Sequence, residues 1–173
     1  MNSMRKALFF GALALAGLGP GQARADEEVF LDRFRGNWIG SGRVQRNAAT
    51  SPWQVNCTVI GQPGENRISI QGRCRAAVII QRQIGADLTY DPRSGLYQGT
   101  YTGARVGPAQ LTGRRSGDSV NLTIAWPKPV NGDTHARLVI RNEGNGVLRI
   151  TVADNLFPGG PIHQTSDLTL RHE

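Results

Sequence analysis

Val120-Asn121-Leu122-Thr123-Ile124-Ala125-Trp126 is the stretch on which the reading of this chain turns. Val120, Leu122, Ile124 and Trp126 are apolar, and Asn121 and Thr123 fall between them. Successive side chains of an extended strand point to opposite faces, so this stretch presents one apolar face and one polar face.

Working outward, the same period of two recurs. Ala136, Leu138 and Ile140 alternate with Arg137 and Arg141; Leu148, Ile150 and Val152 alternate with Arg149 and Thr151. Leu168 and Leu170 are set against Thr169 and Arg171, and Ile84, Ala86, Leu88 and Tyr90 against Asp87 and Thr89. Between these runs lie residues that make tight turns: Gln62-Pro63-Gly64-Glu65, Asp91 to Gly95, Ser116-Gly117-Asp118, Asn131-Gly132-Asp133 and Glu143 to Gly146. The pattern predicts about ten strands, near 37–46, 53–60, 67–75, 84–91, 96–103, 109–114, 120–127, 135–142, 147–153 and 165–172. Residues 27–35 suit one short helix, 75–83 fit either a strand or a helical turn, and 154–164 make the longest irregular loop. Short strands with one apolar face and no helices to cover it must close on themselves or pair as a sandwich, and meander-like hairpins with short turns favour the barrel. The expected fold is therefore all-β: a single antiparallel up-and-down β-barrel with a short N-terminal helix and one disulfide.

The N-terminus has a separate logic. Arg5 and Lys6 precede an apolar run from Ala7 to Leu18, followed by Gly19-Pro20 and Ala23-Arg24-Ala25. That order is the one a secretory signal peptide shows, and the apolar run is too short for a membrane span of about 20 residues. The expectation is a cleaved leader over 1–25 and a mature barrel domain over 26–173. Cleavage removes Arg5, Lys6 and Arg24, leaving 17 cations against 13 acids, a net +4 where the full chain has +7. Lys128 is the one mature lysine; heavy use of Arg is a bacterial, GC-rich style, and the expected location is the periplasm or outside the cell. The arginines are scattered along the chain and accompany no nucleic-acid motif; a modest positive charge favours peripheral contact with anionic surfaces.

Cys57 and Cys74 are the two cysteines. An even pair in an exported chain points to a disulfide, here closing about 16 residues and contributing about 3 kcal/mol in the chain-entropy picture. Val55, Cys57 and Val59 share one face, as do Ile68, Ile70 and Cys74. A turn centred on Pro63-Gly64 would not set the two thiols opposite each other, so a bulge or a longer loop is expected between them.

Catalytic signatures are absent: the chain has no G-x-S-x-G, H-E-x-x-H, P-loop or G-x-G-x-x-G. His135, His163 and His172 are far apart, and no metal site is expected. Asp87 and Asp91 bracket Tyr90, an arrangement that turn capping explains. The expectation is a protein that is not an enzyme.

Phe34-Arg35-Gly36-Asn37-Trp38-Ile39-Gly40-Ser41-Gly42 resembles the G-x-W opening of the calycin superfamily, which includes lipocalins, fatty-acid-binding proteins and nitrobindin-like haem barrels. The resemblance implies that Trp38 plugs the closed end of the barrel and that Arg171, near the last strand, packs across it. It also implies a ligand inside. A late histidine holds haem in nitrobindin-like barrels, and His163 is the residue that would take this part; no cofactor is otherwise called for. In outline the chain is also similar to periplasmic metalloprotease inhibitors, small barrels with an early Trp and one disulfide. Those act through the mature N-terminal segment, here Asp26 to Leu31.

The residues expected to line a ligand pocket are Trp38, Tyr90, Tyr97, Tyr101, Leu122 and Trp126, beside small inward residues, Gly40, Gly42 and Gly72, that leave space. The expected function is a monomeric periplasmic barrel binding a small apolar molecule: a lipid, an acyl chain or a tetrapyrrole. The alternative is an interaction protein with a solid core, such as a protease inhibitor or an envelope-stress factor, whose partner is an envelope protein.

Overall fold

A computed structural model describes residues 20–77 and 80–173, with side chains from residue 25 onward. The charged and apolar parts of the expected leader, Met1 to Leu18, lie outside the described residues, as do Val78 and Ile79. One helix, α1 (Pro20–Asp32), precedes ten strands. These are β1 (Gly36–Val44), β2 (Trp53–Gly64), β3 (Arg67–Ala76), β4 (Ile80–Asp91) and β5 (Leu96–Thr102). The second half adds β6 (Ala109–Ser116), β7 (Ser119–Val130), β8 (Asp133–Asn142), β9 (Val147–Asn155) and β10 (Ile162–His172). Each strand pairs antiparallel with the next, and β10 pairs with β1 to close the barrel. The all-β, up-and-down, ten-stranded expectation is met.

Alternation fixes the wall. On β7, Val120, Leu122 and Ile124 are buried while Asn121 and Thr123 are exposed, and the same period runs through β2 and β3. The closed interior leaves no sheet edge unpaired.

Four local expectations change. The helix ends at Asp32, earlier than expected. Arg33, Phe34 and Arg35 donate their N–H groups to the carbonyls of Phe30, Leu31 and Asp32, tightening its last turn. Gly36 then redirects the chain with φ +105, where a side chain would also meet the His172 ring. Second, β2 runs through Pro63 to Gly64, and the hairpin turns at Glu65-Asn66. With the turn moved there, Cys57 and Cys74 are direct partners with no bulge, and their disulfide forms across the hairpin with Cα atoms 4.1 Å apart. Third, β3 extends to Ala76 and β4 starts at Ile80, so most of the ambiguous 75–83 stretch is strand. Fourth, β9 reaches Asn155 and β10 begins at Ile162, which shortens the long loop to 156–161 and places His163 on a strand.

The glycines at 40 and 42 do not leave space. A Cβ on Gly40 would collide with the Thr169 carbonyl, and one on Gly42 with the Asp167 carbonyl, both on β10. They allow the β1–β10 seam to close tightly.

Chain direction divides the barrel into two ends. α1, the turns at 65–66, 92–95, 117–118 and 143–146, and the C-terminus crowd one of them. Here Trp38, Phe30, Phe34 and Tyr97 are fully buried against Leu122, Leu148 and Leu170. Phe30 and Phe34 meet edge to face at 5.3 Å, and the Trp38 indole N–H donates to the Phe34 carbonyl at 3.0 Å. Trp38 therefore plugs this end, as the calycin-like opening implies. Its ring partner is His172, edge-on at 5.0 Å, and not Arg171. Arg171 pairs with Ile39 on the outward parity and is exposed.

Candidate ligand cavity at the open end

At the other end, among the described residues, no helix covers the barrel. The described loops there are 45–52, 103–108, 131–132 and 156–161. Beneath them the barrel interior holds a cavity of about 490 Å³. That falls within the range of roughly 300–1,000 Å³ usual for small-molecule sites. Val44, Val55, Ile70, Ile84, Ile150 and Val152 supply apolar wall from five strands.

Two of the six expected pocket residues line it, Tyr101 and Trp126, whose rings meet edge to face at 5.9 Å. The other four belong to the packed half. Trp38 and Tyr97 are fully buried near α1, Leu122 is buried on β7, and Tyr90 is half-buried against the Tyr97 ring at 5.2 Å. Parity correctly turned all six inward or towards the core. It carries no information on depth along the barrel, which separates plug from cavity.

Few polar groups face the cavity. Asp154 on β9 is 3% exposed and accepts hydrogen bonds from the Trp126 indole N–H at 3.1 Å and the Asn155 N–H at 2.7 Å. Burial raises its pKa above the usual carboxylate value, against the opposing pull of those two bonds. Burial likewise raises the Tyr101 pKa, so its hydroxyl stays protonated as a donor. Among the described residues that hydroxyl has no hydrogen-bond partner. Asn131, in the left-handed region at φ 49, donates its amide to the carbonyls of Arg46 and Asn155 and so ties two open-end loops to the end of β9.

Sequence reasoning missed Arg46 and Arg82. Arg46 prolongs the inward parity of Trp38, Gly40, Gly42 and Val44; Arg82 prolongs that of Ile84, Ala86 and Leu88 and pairs across from Cys74. Both line the cavity where it meets solvent, together with Arg105 from the β5–β6 loop. The parity signal was present in the sequence, but a charge on the inward face only makes sense once the barrel mouth is located.

A second depression, of about 800 Å³, lies outside the barrel over β3, β4 and β5. Gln71, Arg73, Gln81, Gln83 and Thr102 line it. It is wider open and polar, a trough in the outer wall.

The remaining candidates are dispersed. His163 is exposed on β10 and does not line the cavity, so a haem held through it finds no support in this geometry. His135 is exposed on β8 and His172 caps the closed end. Among the described residues no group of three His, Cys, Asp or Glu is placed to hold a metal. Asp87 accepts from Ser69 and Gln71, and Asp91 caps its own turn through Arg93 N and Ser94 Oγ. The segment from Asp26 to Leu31 is not a free tail: Glu27, Phe30 and Leu31 are buried within the plug.

No protein-family model matches this chain, and no curated protein does. Among solved structures it is similar to the crystal structure of Rv2717c from M. tuberculosis, with a TM-score of 0.64 and 15% identity over 83% of this chain and 94% of that chain. At that identity the likeness is one of fold, and it bears out the barrel outline drawn from the G-x-W opening.

Proposed function

We propose that this is an exported binding protein that holds one small apolar molecule in the open half of its barrel, and that it acts as a monomeric carrier, not an enzyme. The observation that carries the reading is the 490 Å³ cavity beneath an open mouth, walled by aliphatic and aromatic side chains. A solid-core interaction protein has no use for such a volume. An empty apolar space forgoes dispersion contacts and costs stability, so a ligand that fills it would recover part of that loss. The disulfide supports an oxidising compartment, in keeping with export to the periplasm.

Nile red, a neutral apolar dye, tests the reading. Wild-type protein should bind it with an increase in dye fluorescence. Ile150→Trp, which fills the cavity from β9, should lose that binding while keeping the wild-type far-UV spectrum and a cooperative melt. Equal dye binding by the folded Ile150→Trp protein would remove the cavity from the account.

A further inference from the structure

The acids of this barrel gather at one end. Four of the acids lie in α1, and Glu65, Asp91, Asp118, Glu143 and Glu173 surround it at the closed end. The open end carries Arg46, Arg75, Arg82, Arg105 and Lys128, against Asp133 and the buried Asp154. Against two acids, these five cations leave the mouth positive.

Three of these cations, Arg46, Arg82 and Arg105, border the cavity. Arg33, Arg35, Arg115, Arg141 and Arg149 each pair with a carboxylate. Among the described residues, Arg46, Arg82 and Arg105 pair with none. Arg82 has one long bond, from Nη1 to the Gly103 carbonyl at 3.4 Å. Arg46 lays its guanidinium over the Trp53 ring, 4.5 Å from the centroid, and leaves its Nε buried with no hydrogen-bond partner. A buried donor on a cation is costly to leave unmet. Tyr101 lines the same cavity and brings a hydroxyl to it. Asp154, the carboxylate on the cavity wall, already has two donors of its own.

We propose that the molecule held in this cavity is an anionic amphiphile: an apolar chain in the barrel, with a carboxylate or phosphate head at the mouth between Arg46, Arg82 and Arg105. This rests on the binding reading above and adds the chemistry of the ligand. The head supplies the acceptors that the Arg46 Nε lacks. The chain meets the aliphatic and aromatic wall below.

The test uses competition against Nile red by three compounds with the same chain: dodecanoate, dodecyl phosphate and dodecanol. The two anions should displace the dye at concentrations at least about tenfold lower than the neutral alcohol, the order of one charge-assisted hydrogen bond. The double variant Arg46→Gln/Arg82→Gln should still bind dye and dodecanol but lose the preference for the anions. A preference for one anion over the other identifies the head and supports the proposal. Equal displacement by dodecanol in the wild type, or an unchanged preference in the variant, overturns the anionic head and leaves the cavity reading standing. Failure of wild type to bind the dye or any of the three overturns both.

Discussion

Tyr97 on β5 donates its hydroxyl to the buried carboxylate of Glu27 on α1, joining residues 70 positions apart in the chain. Arg115 on β6 completes the cluster, with Nε 3.0 Å from the other Glu27 oxygen and its guanidinium 4.7 Å from the Phe30 ring. Burial first, then the bond to Glu27, raises the Tyr97 pKa far above its ordinary value, so Tyr97 remains a donor at any pH the protein meets. This cluster holds the plug on the barrel.

The two partners of Glu27 should not cost the same to remove. Tyr97→Phe deletes one hydrogen bond and leaves Glu27 paired with Arg115, for a loss of about 1 kcal/mol. Arg115→Met strands a carboxylate whose side chain is 7% exposed, for a loss of about 3 kcal/mol. Urea denaturation of both variants checks the ranking. A Tyr97→Phe loss equal to or above that of Arg115→Met would show that the ion pair does not secure the plug.

The seam between β1 and β10 closes only because residues 40 and 42 have no side chain. Gly40→Ala places a methyl against the Thr169 carbonyl and should cost about 2–3 kcal/mol, the order of an overpacked core. A comparison of Gly40→Ala with Gly146→Ala, whose Cβ would meet nothing, separates crowding at the seam from the strain that a side chain introduces at the positive φ of Gly146.

Removal of the disulfide by Cys57→Ala/Cys74→Ala should lower stability by about 3 kcal/mol, the cost of freeing the unfolded hairpin. Because the two residues are cross-strand partners in a hairpin whose ladder is otherwise continuous, the double variant should keep the barrel fold at low temperature. Paired melts of wild type with and without reductant should show the same difference as the variant.

Two aspartates give opposite pH dependences. Burial raises the Asp154 pKa, so the folded state holds that proton more tightly than the unfolded state. Its contribution is complete below the ordinary value of 3.8 and is lost as pH rises through the folded value. Arg149 lowers the Asp167 pKa through a two-pronged ion pair, with bonds of 2.9 and 2.8 Å. That contribution is present above 3.8 and is lost as pH falls. Asp154→Asn should therefore gain stability relative to wild type between pH 3 and pH 7, and Asp167→Asn should lose it. Melting temperatures across that range read the sign directly.

The strands were legible because each is half-buried, so a period of two survives in the sequence. Ten runs and their turns could be counted, and Trp38 could be placed at the closed end from Gly36-Asn37-Trp38. Depth was not legible. Leu122 and Trp126 have the same parity and belong to different halves of the barrel, since what separates them is which loops α1 covers. The positive mouth was hidden for the same reason: Arg46, Arg82 and Arg105 are distant in sequence, and only antiparallel winding brings their strand ends together. The Cys57–Cys74 register depended on the turn, and Pro63 inside a strand drew that turn two residues too early.

The most direct test of the central claim is native mass spectrometry of the oxidised protein with excess dodecanoate, run beside Ile150→Trp. The account expects a one-to-one complex with the wild type and none with the filled variant. A wild type that stays bare, or an Ile150→Trp protein that takes up the same ligand, would contradict it.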